Sequence, residues 1–199
     1  MEARETIQKD DGYKIEIYDD SDPVNPREEW EPIGKMVCFH RRYRLGDKHD
    51  LTSDMFGGWE EMEGHLIKEM NAAVILPLYL LDHSGLAIST SSFNDHWDSG
   101  QVGFIYMTKE DAKKNWNKKI VTKKLIEKIT ACLQNEVEIY DFYLRGEVYG
   151  FNVIDPEGEV VETSWGYFGG DHGESGLLEN AELAYANDFA HRKSREVAV

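Results

Sequence analysis

Hydrophobic positions recur along the chain with two periods, and each period predicts one kind of element. Apolar residues spaced three to four apart from Leu125 to Leu144 predict a long helix. Thr122 precedes it as a capping residue and Gly146 follows it as a typical C-terminal stop. The same period from Trp59 to Met70 predicts an amphipathic helix. Two more helices are predicted, one after the capping residue Thr108 and one over 177–192.

Alternating positions and short apolar runs predict strands between these helices. The run 73–81 contains Pro77, which favours an edge strand or a bulge because proline lacks a backbone N–H. The polar residues 1–12 are predicted to be flexible, and the glycine-rich residues 166–176 to be a loop. The predicted strands cover residues 13–18, 35–45, 73–81, 86–90, 101–107, 148–154 and 159–165.

The order of these elements predicts an α+β fold in one domain over residues 1–199. Neighbouring strands that can form hairpins outnumber β-α-β units. We therefore expect a mostly antiparallel mixed sheet of six to seven strands with about four helices. A glycine-rich phosphate loop does not follow any predicted strand, which argues against P-loop and dinucleotide-binding folds.

The net charge and its distribution along the chain add information about possible partners. The chain has 22 basic and 38 acidic residues and a net charge of -16. Residues 1–63 carry a net -8, residues 64–135 a net +2, and residues 136–199 a net -10. Such a surface repels nucleic-acid phosphates and anionic membranes, so direct nucleic-acid or membrane binding is not expected. Simple solubility is the competing explanation of the acidity.

The same sequence features favour a cytoplasmic location. The charged N-terminus is unlike a signal peptide, and the longest apolar stretch, 72–81, is too short to span a bilayer. Cys38 and Cys132 match no zinc-binding spacing and are predicted to be buried free thiols.

Two loops carry residues that suit metal binding or proton transfer. Imidazole and carboxylate groups form a ligand set for zinc, manganese or iron, and histidine exchanges protons near neutral pH. Ordinary turn formation is the competing reading, since none of these spacings is diagnostic. The candidate metal ligands are Asp82, His83, Asp95, His96 and Asp98, and with His40 they are the candidate catalytic residues.

The stretch from His40 to Arg44 contains Arg41, Arg42 and Arg44. Guanidinium groups bind phosphate or carboxylate in a bidentate manner, so this predicted strand suits anion binding or catalysis. The alternative is that the arginines neutralise nearby acids of the same chain. Cys38 and His40 share one face of the predicted strand, which allows a nucleophile pair, although nothing in the sequence activates the thiol.

Candidate protein-binding residues lie in two other segments. Trp165, Tyr167 and Phe168 precede or occupy the glycine-rich loop, where aromatic side chains either anchor an interface or complete the core. The acidic segment after the first predicted strand contributes Asp19, Asp20, Asp22, Glu28, Glu29 and Glu31.

The chain also resembles a known group of proteins in four stretches, which are 36–47, 76–85, 97–106 and 146–151. Over about residues 30–170, the chain resembles a family of small uncharacterised proteins of bacteriophages and other mobile elements. The resemblance implies an accessory protein in the cytoplasm of a bacterial host cell, and it assigns no activity and no site residue.

These observations lead to one principal expectation and two alternatives. We expect an acidic, non-enzymatic binding protein, such as a phage-encoded inhibitor of a host defence system that occupies a partner's basic nucleic-acid-binding surface. No cofactor is predicted for this function. The first alternative is a metal-dependent hydrolase or nuclease that uses a divalent metal at the His/Asp cluster. The second is a virion structural or assembly protein, which would form a homo-oligomer.

Overall fold

The fold was obtained as a computed structural model that describes residues 2–95 and 97–197. These residues form an α+β fold with four α-helices and eight strands in two antiparallel four-stranded sheets. No helix among them is long and apolar enough to cross a membrane. The strands are β1 (Glu5–Gln8), β2 (Lys14–Asp19), β3 (Lys35–Cys38), β4 (Ala72–Asp82), β5 (Leu86–Ser89), β6 (Ser99–Thr108), β7 (Val148–Ile154) and β8 (Val160–Phe168). The helices are α1 (Trp59–Lys68), α2 (Lys109–Asn115), α3 (Lys123–Arg145) and α4 (Leu177–Val197), with a 3-10 turn at Ser53–Met55.

The chain divides into two compact units. The central unit is Asn25–Arg145, and the terminal unit combines Met1–Val24 with Gly146–Val199. The terminal unit holds 19 acidic and 6 basic residues, a net of -13, whereas the central unit holds 19 acidic and 16 basic residues, a net of -3. Most of the excess negative charge therefore belongs to the unit built from both ends of the chain.

The central unit places its sheet, in the order β3-β6-β4-β5, between helices. The apolar stripe of α3 packs through Ile129 and Leu133 against one face of this sheet. Met62 and Leu66 of α1 pack against the other face, beside Phe104. Because the two helices cover the two faces of the sheet, polar side chains can cluster at the ends of the strands and in the loops that follow them.

The terminal unit has one sheet, in the order β1-β2-β7-β8, with α4 on one face. Ile15 and Ile17 of β2 and Phe151 of β7 point toward α4 and are fully or almost fully buried. A part-buried polar network closes this core, because buried Asp155 pairs with Arg192 of α4 and the Tyr13 hydroxyl donates to Asp188 at 2.7 Å.

Four features differ from the sequence-based expectation. The strands form two sheets instead of one, and there are eight strands because β1 lies within residues 1–12, which were predicted to be flexible. β1 forms because it pairs along its whole length with β2, while it buries little apolar surface of its own. The predicted strand 35–45 ends at Cys38, and the basic residues after it lie on a loop. The predicted loop 166–176 begins later, because β8 continues to Phe168.

Pro77 shows how an interior-looking strand accommodates proline. β4 pairs with β6 on one side through Pro77 and Phe104. On its other side β4 meets β5 only from Tyr79 onward, and the register shifts between Leu78 and Tyr79. The proline therefore has a neighbouring strand on one side only, which confirms the local edge and bulge character that it predicted.

Candidate functional site

A groove of about 1230 Å³ opens in the central unit beside the end of β3. One wall is the loop from Phe39 to Gly46, which we call the basic loop, and it is continued by Asp47, Lys48 and His49. Further lining residues come from β4, from the segment before β6 and from the start of β6, and they include Asp82, Trp97, Asp98 and Gln101. Loops positioned by a rigid sheet are the usual place for a binding site.

The base of the basic loop is fixed by a buried arginine. The Arg27 side chain is 1% exposed and donates to both carboxylate oxygens of Asp47 at 2.8 Å. It also donates to Glu136 of α3 at 2.9 Å and to the carbonyl oxygen of Gly34 at 2.8 Å. Asp47 in turn accepts the backbone N–H of Met36 at 2.7 Å. Because every buried charge is paired, this network ties the end of the loop to the sheet and to α3.

Backbone geometry adds a second constraint at the same place. Gly46 has a φ of +70°, and a Cβ there would lie 2.7 Å from the carbonyl oxygen of Met36. Its N–H donates to the Tyr140 hydroxyl of α3 at 3.1 Å. A side chain at this position would be strained both by the left-handed backbone and by the close approach to β3.

The basic loop turns around His40. The ring of His40 stacks on that of Tyr43, with centroids 4.9 Å apart and planes 7° apart. Its Nδ1 accepts the backbone N–H groups of Arg42 at 3.4 Å and Tyr43 at 3.3 Å. These contacts satisfy backbone donors that would otherwise continue a strand, which is why the strand predicted over 35–45 stops early.

Some of the charged side chains that line the groove have an ion-pair partner, and others do not. Asp82 pairs with Arg42 and accepts the Tyr43 hydroxyl at 3.3 Å. Asp98 pairs with a histidine and Asp47 with Arg27. Within the described part of the chain, the exposed cations Arg41, Arg44 and Lys48 have no ion-pair partner, and Glu28 is the one groove acid without such a partner. The groove lining thus holds four basic and four acidic side chains, and three of its four unpaired charges are positive.

A His/Asp cluster lies at the groove's edge. Ligand atoms of His83, Asp95 and Asp98 all lie within 4.8 Å of one another. His83 Nδ1 is 2.6 Å from Asp98 Oδ2, and this hydrogen bond raises the pKa of His83. The two loops are held together by the backbone N–H of Asp82, which donates to the carbonyl oxygen of Asp98 at 2.8 Å. One imidazole and two carboxylates form a donor set that suits a divalent transition metal.

The structure places the other candidate catalytic residues separately. His40 and Asp82 line the groove, and the side chains of Arg42 and Tyr43 connect the basic loop to Asp82. The described three-residue cluster does not include either residue. His96 lies outside the described residues.

Cys38 is not an activated nucleophile. Its side chain is buried in the core beside Met36 and Leu45, and burial raises the pKa of the thiol to about 12. The sequence-based pairing of Cys38 with His40 therefore offers no thiolate near neutral pH. Both cysteines are free, but Cys132 is only half-buried, so the prediction that both thiols are buried is wrong for Cys132.

The candidate protein-binding residues are distributed over both units. Asp19, Asp20 and Asp22 belong to the terminal unit, and exposed Glu28, Glu29 and Glu31 to the central unit.

The aromatic candidates occupy different environments in β8. Trp165 is 43% exposed and lies against Gly150, where a Cβ would come within 2.2 Å of the indole. Tyr167 packs toward the α4 core beside Phe151, with ring centroids 5.8 Å apart. Phe168 is half-buried. Of the three side chains, Trp165 is therefore the most accessible to a partner.

Sequence reasoning identified the arginines of the basic loop but missed the residues that hold them. Arg27, Asp47 and Glu136 are far apart in sequence, and each looks like an ordinary surface charge. Their pairing depends on β3, the basic loop and α3 meeting in the fold, so no local pattern signals it.

Comparison of the chain with protein-family models, curated proteins and solved structures finds no match.

Proposed function

We propose that the protein is a binding protein whose central groove holds a phosphate-bearing anion. The observation that carries this proposal is the set of unpaired cations Arg41, Arg44 and Lys48 on the walls of a preformed groove. Guanidinium groups bind phosphate through charge-assisted hydrogen bonds that are stronger than neutral ones. Three of the four groove acids have a basic partner in Arg42, His83 or Arg27, so they oppose an incoming anion less than free carboxylates would. Glu28 is the exception.

The anchoring of the basic loop supports the same function. A loop that is ordered before binding loses less conformational entropy when the ligand arrives. Arg27 and Gly46 fix the end of the loop, and the stacked pair of His40 and Tyr43 fixes its middle. The exposed guanidinium groups therefore project from a constrained backbone.

Calorimetric titration of the purified chain with inorganic pyrophosphate tests the proposal. Arg41→Gln and Arg44→Gln are each expected to weaken binding about 5- to 20-fold, because each removes a charge-assisted contact. Lys118→Gln is the matched control, since it removes one exposed positive charge in the α2–α3 connection outside the groove lining. Equal losses in all three variants would show only a nonspecific charge effect and would contradict a groove site.

A separate observation favours a second function, in which the acidic surface binds a basic protein. The two acidic ends of the sequence fold into one terminal unit with a net charge of -13. Thirteen of its acidic residues are exposed. This concentration supports the proposal that the protein occupies a partner's nucleic-acid-binding surface, in the manner of an inhibitor carried by a mobile element.

Competition with nucleic acid tests this second proposal. Partners captured from a bacterial lysate are expected to be released by duplex DNA and by salt, because both compete for the same basic surface. A variant with Glu157, Glu159 and Glu162 changed to glutamine should retain less partner than a variant with Glu60, Glu61 and Glu63 of α1 changed in the same way. Capture that is insensitive to salt and to DNA would exclude an electrostatic mimic.

A further inference from the structure

Trp97 is the most exposed large hydrophobic side chain among the described residues. It is 96% exposed, whereas the next in order, Ile120, is 68% exposed. Trp97 lines the same groove as Arg41 and Arg44 of the basic loop. A fully exposed indole contributes no burial to the core, and its whole ring face is accessible to a ligand in the groove.

The backbone of Trp97 is held in place although its side chain is exposed. Asp95 Oδ1 accepts the N–H groups of Trp97 at 2.9 Å and Asp98 at 3.1 Å, and the Ser99 hydroxyl donates to the carbonyl oxygen of Asp95. The carbonyl oxygen of Asp98 is bound by the N–H of Asp82 at 2.8 Å. The backbone N–H of Trp97 is therefore held before a ligand binds, which reduces the entropy lost when another ring stacks on the indole.

The groove thus combines an aromatic platform with unpaired cations. Aromatic side chains stack on nucleobases without regard to base identity, while arginines bind phosphate oxygens. A volume of about 1230 Å³ also exceeds the roughly 300–1,000 Å³ of ordinary small-molecule pockets, so a base and its phosphates have room.

We infer that the ligand of the groove is a free nucleoside di- or triphosphate, with its base stacked on Trp97 and its phosphates bound by Arg41 and Arg44. This inference rests on the proposed function of the groove and adds the chemical class of the ligand. The overall charge selects against a nucleic-acid strand, because a net -16 repels a polyanion that extends beyond the groove. A single nucleotide places its few charges next to the basic loop, where local attraction dominates over a distance of about 8 Å.

Calorimetric titrations of the full chain with ADP and with inorganic pyrophosphate, at one ionic strength, separate the base from the phosphates. ADP is expected to bind more tightly than pyrophosphate. Trp97→Ala is expected to weaken the binding of ADP about 5- to 100-fold, which corresponds to the loss of one stacked base. It should leave the binding of pyrophosphate unchanged. Trp97→Phe should retain most of the ADP affinity because it keeps an aromatic face. Ile120→Ala is the matched control, an exposed hydrophobic residue outside the groove lining.

The outcomes distinguish this inference from the proposed function. If ADP and pyrophosphate bind equally and Trp97→Ala changes neither, the nucleotide is excluded, while the arginine variants still support a phosphate site. If neither probe binds at millimolar concentration, both the inference and the proposed function are wrong. Tighter binding of a single-stranded oligonucleotide than of ADP would overturn the assignment of a free nucleotide.

Discussion

Removal of Arg27 is expected to destabilise the central unit more than the loss of any exposed arginine. Its side chain is 1% exposed, and Arg27→Met would leave the carboxylates of Asp47 and Glu136, 25% and 17% exposed, without their shared cation. Breaking a buried ion pair by removing one partner costs about 3–5 kcal/mol. For a chain of this size that corresponds to a fall in Tm of roughly 6–20 °C.

Tryptophan fluorescence during urea unfolding measures this loss of stability in the central unit. Four of the five tryptophans (Trp30, Trp59, Trp97 and Trp116) lie in the central unit, so the signal reports mainly on it. Arg41→Gln, an exposed arginine of the basic loop, is the control and should change the free energy of unfolding by less than about 0.5 kcal/mol. A cost below about 1 kcal/mol for Arg27→Met would refute the anchoring role of the network.

Three further predictions concern titratable groups. If the His/Asp cluster supports the metal-dependent alternative, Mn²⁺ or Zn²⁺ should bind at one equivalent by metal analysis, and His83→Gln should abolish it; a chain that stays metal-free with added metal contradicts that alternative. In NMR titrations Asp98→Asn should lower the pKa of His83. Because the folded pKa is the raised one, the stabilising contribution of the pair is present below about pH 6.5 and is lost as the pH rises through the folded value. Alkylation of the native protein at pH 8, followed by mass spectrometry, should label Cys132 well before Cys38, whose raised pKa leaves very little thiolate. Faster labelling of Cys38 would contradict the burial of its side chain.

The helices were predictable because their signals are local. α3 lies where the apolar stripe, Thr122 and Gly146 placed it, and the Thr122 hydroxyl accepts the N–H of Leu125 at 3.3 Å. The cap of α2 is likewise formed by the Thr108 hydroxyl, which accepts the N–H of Asp111 at 3.0 Å. Spacing and capping chemistry act within a few residues, so one sequence is enough to read them.

Strand pairing was less predictable because it joins distant segments. β2 pairs with β7, so Ile17 lies opposite Phe151, and nothing local specifies that partner. β1 was missed for the same reason, since its polar residues form a strand only beside β2. The strand predicted beyond Cys38 failed because His40 captures two backbone donors that a strand would use.

The candidate site was predictable in composition and less so in arrangement. The residue types at His83, Asp95 and Asp98 indicated metal or proton chemistry, and the fold brings ligand atoms of all three within 4.8 Å. The sequence could not predict that Arg41 and Arg44 lack an ion-pair partner, because this depends on which acids form ion pairs with Arg27 and Arg42 in the fold. Ion pairing depends on the folded surface, whereas the sequence gives only the number and type of the charged residues.

The division of the chain has a consequence for its synthesis on the ribosome. β2 emerges early, but its partner β7 and the helix α4 follow only after the whole central unit. At about 5–20 residues per second, β2 waits on the order of ten seconds for its partner strand. The central unit is therefore expected to fold first, while the apolar face of β2, including Ile15 and Ile17, remains open to chaperones until the last third of the chain has been translated.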